Sequence, residues 1–190
     1  MSVNRPSLWR ISSIAIRDLP ESYKLTPTQQ NQRQAVVTSR PQVNKAAVAS
    51  FLKRLRYPLY YMDFETFAPA IPLFDGTGPY EAIPFQFSLH VQPAPGAEPQ
   101  HFMYLAADTG DPRPEFIRRL RAVVGERGSI LVYNAAFEKM VLSQCAALLP
   151  EFQPWVEAVK HRIVDLLTPF KSFGFWAGGR RLCSSGANGG

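Results

Sequence analysis

From Met62 to Thr66 the chain alternates Met-Asp-Phe-Glu-Thr, the period-two pattern of a strand whose two faces differ. The spacing predicts a first core strand running through Phe67. A helix precedes it, capped by Asn44, with Val48, Phe51, Leu52 and Leu55 along one stripe, and it is broken by Pro58. Ala68 to Pro84 is rich in Pro and Gly and reads as a loop. A second strand then places Phe85, Phe87, Leu89 and Val91 on one face and Gln86, Ser88 and His90 on the other. Pro93 to Pro99 turns the chain into a third strand near His101 to Leu105, giving an antiparallel meander.

The pattern then changes period. Asp111 and Pro112 suit the start of a helix that buries Phe116, Leu120 and Val123 or Val124 and stops at Gly125. Ser129 to Tyr133 is a short continuous apolar run, as in a strand covered on both faces. Asn134 opens a helix with Phe137, Val141, Cys145 and Leu148, ending at Pro150. A short helix near Trp155 to Lys160 leads to the apolar run Ile163 to Leu167. Three antiparallel strands followed by helix, strand, helix make an α/β layered architecture with a mixed sheet.

The ends differ from this body. Residues 1–44 are polar and punctuated by Pro6, Pro20, Pro27 and Pro41, so they read as a basic arm with one short helix before Thr38. Residues 171–190 hold 6 of the 12 glycines and no periodicity, and are expected to be a disordered tail. The domain proper is then 45–170.

Composition narrows the class. The chain has 190 residues, 46% of them hydrophobic, enough for one domain with a real core. No apolar run approaches the ~20 residues that span a membrane, and the first residues lack a signal-peptide pattern. Cys145 and Cys183 form no C-x-x-C, so a reducing cytoplasm is expected rather than a disulfide framework or a zinc site. The net charge of +6 is uneven: residues 1–56 hold 10 basic and 2 acidic side chains, residues 57–170 hold 8 basic and 13 acidic ones. A basic arm beside an acidic body suits nucleic acid as partner, although for charge alone a solvated arm is the simpler account.

Chemistry enters with Asp63 and Glu65, which share one strand face. Two anions side by side repel, and burying them unpaired costs several kcal/mol or leaves one protonated. A hard divalent cation, Mg²⁺ or Mn²⁺, removes the problem. The alternative is an edge strand whose polar face meets water, against which the surrounding apolar density argues. Glu138 projects from the first turn of the helix that Asn134 begins, near its positive dipole end. Taken alone, that is an ordinary helix start.

The order of these pieces resembles the DEDD exonucleases of the RNase H-like superfamily: a D-x-E strand, an antiparallel meander, a helix, a short apolar strand, then N-x-x-F-[D/E]. The resemblance implies an RNase H-like mixed sheet and two-metal phosphodiester hydrolysis from a single-stranded 3′ end of DNA or RNA. Asp63, Glu65 and Glu138 would be the catalytic metal ligands, Glu138 standing where the usual residue is Asp. Thr66, Phe67 and Asn134 would touch substrate, Phe67 by stacking on a base. Asp165 would approach the site or brace the following segment, with bracing favoured.

Longer stretches, from Lys24-Leu25-Thr26 through Ile83-Pro84-Phe85-Gln86-Phe87-Ser88-Leu89-His90 to Arg162 with Asp165-Leu166, resemble the bacterial family named domain of unknown function 2779, over about Leu25 to Phe170. The exonucleases carry a third motif with a final Asp preceded by a Tyr or His base. Between Lys171 and Gly190 there is no Asp, Glu, His or Tyr. The fold is therefore expected to be incomplete at its C-terminus and catalysis by this form weak or absent. A silent nucleic-acid-binding module is the alternative function.

Overall fold

The computed structural model describes residues 15–107 and 109–172, with side chains described to Phe170. The expected tail lies almost wholly outside the described residues, as do the first fourteen residues of the arm. The described residues fall into two compact units, one holding residues 15–49 with 168–172 and the other residues 50–107 with 109–167.

In the first unit, helix α1 (Pro27–Thr38) is longer than the short helix anticipated. Thr26 explains its start: its hydroxyl accepts the Gln29 N–H at 3.3 Å, and Gln29 Oε1 accepts the Thr26 N–H at 2.9 Å. Pro27 occupies the first turn, where no N–H is needed. Helix α2 (Lys45–Lys53) begins as expected, with Asn44 Oδ1 accepting the Ala47 N–H at 3.0 Å. It ends two residues before Leu55, and its one buried residue, Phe51, belongs to the second unit.

The second unit is a mixed α/β structure around a five-stranded sheet of order β3-β2-β1-β4-β5. Strands β1 (Leu59–Phe67), β2 (Ile83–Gln92) and β3 (Gln100–Leu105) are antiparallel neighbours, as the meander implied. Strands β4 (Ser129–Val132) and β5 (Ile163–Asp165) are parallel to β1. Helices α3 (Arg113–Val123), α4 (Ala135–Leu148) and α5 (Gln153–Arg162) supply the apolar side chains that meet one sheet face. There Tyr60, Met62, Phe64, Phe87, Leu89, Ile130 and Val132 pack with Phe116, Leu120, Leu142 and Val156. Cys145 belongs to this core, and burial pushes its thiol up to about 12, so it is a packing residue rather than a nucleophile. A short helix, α6 (Leu167–Ser172), follows β5.

Two local features depart from the simple pattern. The β1–β2 register shifts after Glu65↔Gln86, where Thr66 pairs with Pro84, leaving Phe85 as an extra residue on β2. Phe85, expected on the core face with Phe87 and Leu89, instead meets the Phe67 ring, 6.1 Å between centroids. Helix α3 starts one residue later than anticipated. Asp111 still caps it, accepting the Arg113 N–H at 3.0 Å, but the same carboxylate also grips the Arg113 guanidinium.

The entry to the β1–β4 ladder is tightly built. Arg56 and Ser129 exchange hydrogen bonds: the Ser129 N–H donates to the Arg56 carbonyl at 2.7 Å, and the Arg56 N–H donates to Ser129 Oγ at 2.9 Å. From α5, Arg162 donates to the carbonyls of Gly125, Arg127 and Gly128, and its guanidinium lies 5.5 Å over the Tyr60 ring. No helix among the described residues is long and apolar enough to cross a membrane.

Candidate metal centre

Because β1, β4 and β5 run parallel, their C-terminal ends lie along one edge of the sheet, where sites of open α/β sheets form. The three strands are unequal in length. β4 pairs only with Leu59 to Tyr61, so β1 runs on beyond it through Phe67 with no strand on that side. The chain leaving β4 turns at Asn134, which adopts a left-handed conformation with φ 69°, and α4 begins at once. Its first turn brings Glu138 toward the unpaired flank of β1.

Asp63 and Glu65 alternate with buried Met62 and Phe64, as the sequence requires, and are exposed on the opposite face of the sheet. β1 is the central strand of the sheet, but at Asp63 and Glu65 it is paired only with β2. The pair meets water, because Tyr60, Met62 and Phe64, which suggested apolar surroundings, turn to the other face. Asp63 stands opposite Ser88 and Glu65 opposite Gln86. Their exposure matches the alternative reading, a polar strand face that meets water.

The carboxylate in difficulty is Glu138. It is 2% exposed, and its Oε2 is buried without a hydrogen-bond partner. Burial, then the charges of Asp63 and Glu65, push its carboxyl up to about 8, while the backbone N–H of Phe64 partly offsets them. Three acids thus sense one another, two wet and one dry. Carboxylate oxygens are the hard donors that divalent cations take, and Glu138 Oε2 has no protein partner. Among the described residues, however, no three His, Cys, Asp or Glu side chains are gathered tightly enough to hold an ion as they stand.

Asp165, at the end of β5, braces this corner. Its Oδ1 accepts the N–H of Asn134 at 3.1 Å and that of Leu167 at 2.8 Å, fixing the turn from which α4 departs. The Asn134 side chain makes no cap hydrogen bond. Asp165→Ala is expected to cost about 1–2 kcal/mol, seen as a lower urea midpoint with an unchanged slope. An unaltered midpoint would remove the bracing role.

Thr66 and Phe67 follow Glu65 beyond the bulge and are half-buried. The Phe67 ring is packed edge-on against Phe74 at 6.4 Å as well as against Phe85, so it supports the loop after β1. That loop has a second anchor that the sequence pattern did not single out, the buried Arg113. The only local signal was the Asp111-Pro112-Arg113 string, which reads equally well as a plain helix start.

No curated protein and no solved structure gives a significant match to the chain. A family model does match, from residue 60 to residue 179. It leaves out the stretch from Lys24 to Leu59 included in the anticipated resemblance, and it continues beyond Phe170 into the segment set aside as tail. The match covers well over half of the sequence and includes Asp63, Glu65, Asn134, Glu138 and Asp165. The chain belongs to the family described as Domain of unknown function (DUF2779).

Proposed function

We propose that this domain is of the metal-dependent nuclease type that hydrolyses phosphodiester bonds of nucleic acid from a 3′ end, built on an RNase H-like sheet and, without the third motif, weak or silent in catalysis. The observation that carries this reading is Glu138: a dry carboxylate with an unpartnered oxygen, aimed at the end of the strand that presents Asp63 and Glu65. The antiparallel meander followed by helix, strand and helix supports the RNase H-like assignment. Asp63, Glu65 and Glu138 would hold Mg²⁺ or Mn²⁺. When bound, such ions supply an activated water and neutralise charge on the leaving oxygen.

The chain's own residues divide the remaining work. Glu138 is fixed by the first turn of α4, which Asp165 positions through Asn134. Asp63 and Glu65 stand on an open face that a polymer can reach. Thr66 and Asn134 flank the strand end where the terminal nucleotide would lie, and Phe67 stiffens its rim.

The test is thermal. With an ion bound at a dissociation constant near millimolar, 10 mM Mn²⁺ or Mg²⁺ adds roughly 1.4 kcal/mol, a rise of a few degrees in Tm over EDTA. Asp63→Ala is expected to abolish that rise. Identical melting of the unaltered protein in metal and in EDTA would sink the reading.

The loose spacing of the acids favours a second reading, a catalytically silent module that binds nucleic acid. It requires binding that falls steeply with salt, is indifferent to Asp63→Ala, and weakens when Lys53, Arg54 and Arg56 are neutralised.

A further inference from the structure

Loops rich in Pro and Gly are commonly loose, yet the segment from Ala68 to Ala82 is held at several points. Phe67, two residues past Glu65 on the same strand face, packs against Phe74. Thr77 donates both its N–H, at 3.2 Å, and its hydroxyl, at 2.6 Å, to the Phe74 carbonyl. Glu81 Oε2 accepts the Gly78 N–H at 2.8 Å. Beneath the loop lies Arg113, 2% exposed, held by Asp111 at 2.7 Å. It donates to the Asp75 carbonyl at 3.2 Å and lies 3.9 Å from the Glu81 carboxylate. A buried guanidinium is retained only with such partners, and here two of them belong to the loop.

Against this rigid base one side chain is turned outward. Tyr80 is 73% exposed and sits at φ 58°, a left-handed conformation that bulky residues avoid. Its N–H donates to the Pro69 carbonyl at 2.9 Å, so the strained residue is pinned next to the end of β1. Pro69 is four residues beyond Glu65, and such a span covers no more than about 14 Å. Strain, exposure and a clamped base on one aromatic residue mark a surface made for contact.

We infer that Tyr80 is a stacking platform for a base of single-stranded nucleic acid whose end lies at the acidic centre. A flat ring on a preorganised loop suits the π-face that every base offers, and loses little freedom on binding. Ile71 and Leu73 on the same loop are exposed as well. The inference rests on the nuclease reading for its choice of ligand and deepens it by naming the residue that takes a base.

The test measures anisotropy of a fluorescein-labelled oligothymidylate of about twelve nucleotides, with Ca²⁺ present, the length being set by single-strand site sizes. Tyr80→Ala is expected to weaken binding on the order of ten-fold, and Tyr80→Phe to leave it unchanged. Tyr80→Gly removes the ring and relieves the left-handed strain, so it should lose the same affinity while its Tm stays level or rises. Equal affinity in the native, Tyr80→Ala and Tyr80→Gly proteins overturns the inference, leaving the loop to a protein partner. Absence of binding by the native protein overturns it too. The two claims fail separately: a metal shift that Asp63→Ala abolishes, beside Tyr80-independent binding, leaves the nuclease reading standing. Tyr80-dependent binding without any metal shift retires that reading and keeps the platform.

Discussion

In EDTA at pH 8 to 9, Glu138→Gln is expected to be more stable than the native protein. The Glu138 carboxyl keeps its proton to about pH 8 in the folded chain, against an ordinary value of 4.5. Between those values the native state holds a proton that the unfolded state has released. Stability therefore falls as pH rises through that window, by at most ~1.4 kcal/mol per pH unit. Summed over the window the ceiling is ~4–5 kcal/mol, and relaxation around the buried group will bring the measured value to roughly half. Glutamine keeps the shape and carries no charge, so its stability should be flat over the same range. Urea titrations of both proteins at pH 5, 7 and 9 decide the matter. Parallel curves for the two would show that Glu138 is not under the stress described. Adding Mn²⁺ to the native protein should flatten its pH dependence, whereas Glu138→Gln should not respond.

Gly128→Ala is expected to be the most damaging single methyl group in the β1–β4 region. Gly128 has φ 94°, and a Cβ placed there would lie 2.0 Å from the Pro58 carbonyl oxygen. Both sides of the clash are backbone, and both are pinned by the Arg56–Ser129 exchange and by Arg162. Neither can withdraw without opening the ladder that positions β1. A loss above about 3 kcal/mol, or more than about 10 °C in Tm, is expected. Gly96 provides the control. It has φ 76° but nothing within 4 Å of an added Cβ, so Gly96→Ala should cost only ~1 kcal/mol. Similar losses for both would mean that strain alone, and not the Pro58 contact, sets the cost.

Much of this fold was legible because its signals are local. Alternation located β1 and β2, the turn from Pro93 to Pro99 located β3, four consecutive apolar residues located β4, and Asn44 and Asp111 announced helix starts. The acids of the candidate centre were legible too, as D-x-E and as the first-turn Glu138. What could not be read was anything that depends on two strands at once. The bulge at Phe85 is a property of the β1–β2 register, invisible in either strand alone. The burial of Glu138 follows from β4 being shorter than β1, which decides where α4 begins. Asp63 and Glu65 seemed to need a cation because one string of letters mixes two faces. Arg113 looks like Arg118, Arg119 and Arg121 on the same helix, and only the loop folded over it sets it apart.

The two faces of β1 have a bearing on how such a protein changes over generations. Tyr60, Met62 and Phe64 carry the fold on one side, while Tyr61, Asp63 and Glu65 face water on the other. The residues that hold the scaffold and the residues that meet solvent are thus written on alternate letters of one strand. Drift at the wet positions can silence or redirect a site while the dry positions keep the domain folded. A lineage can lose such a site and still pass on its shape.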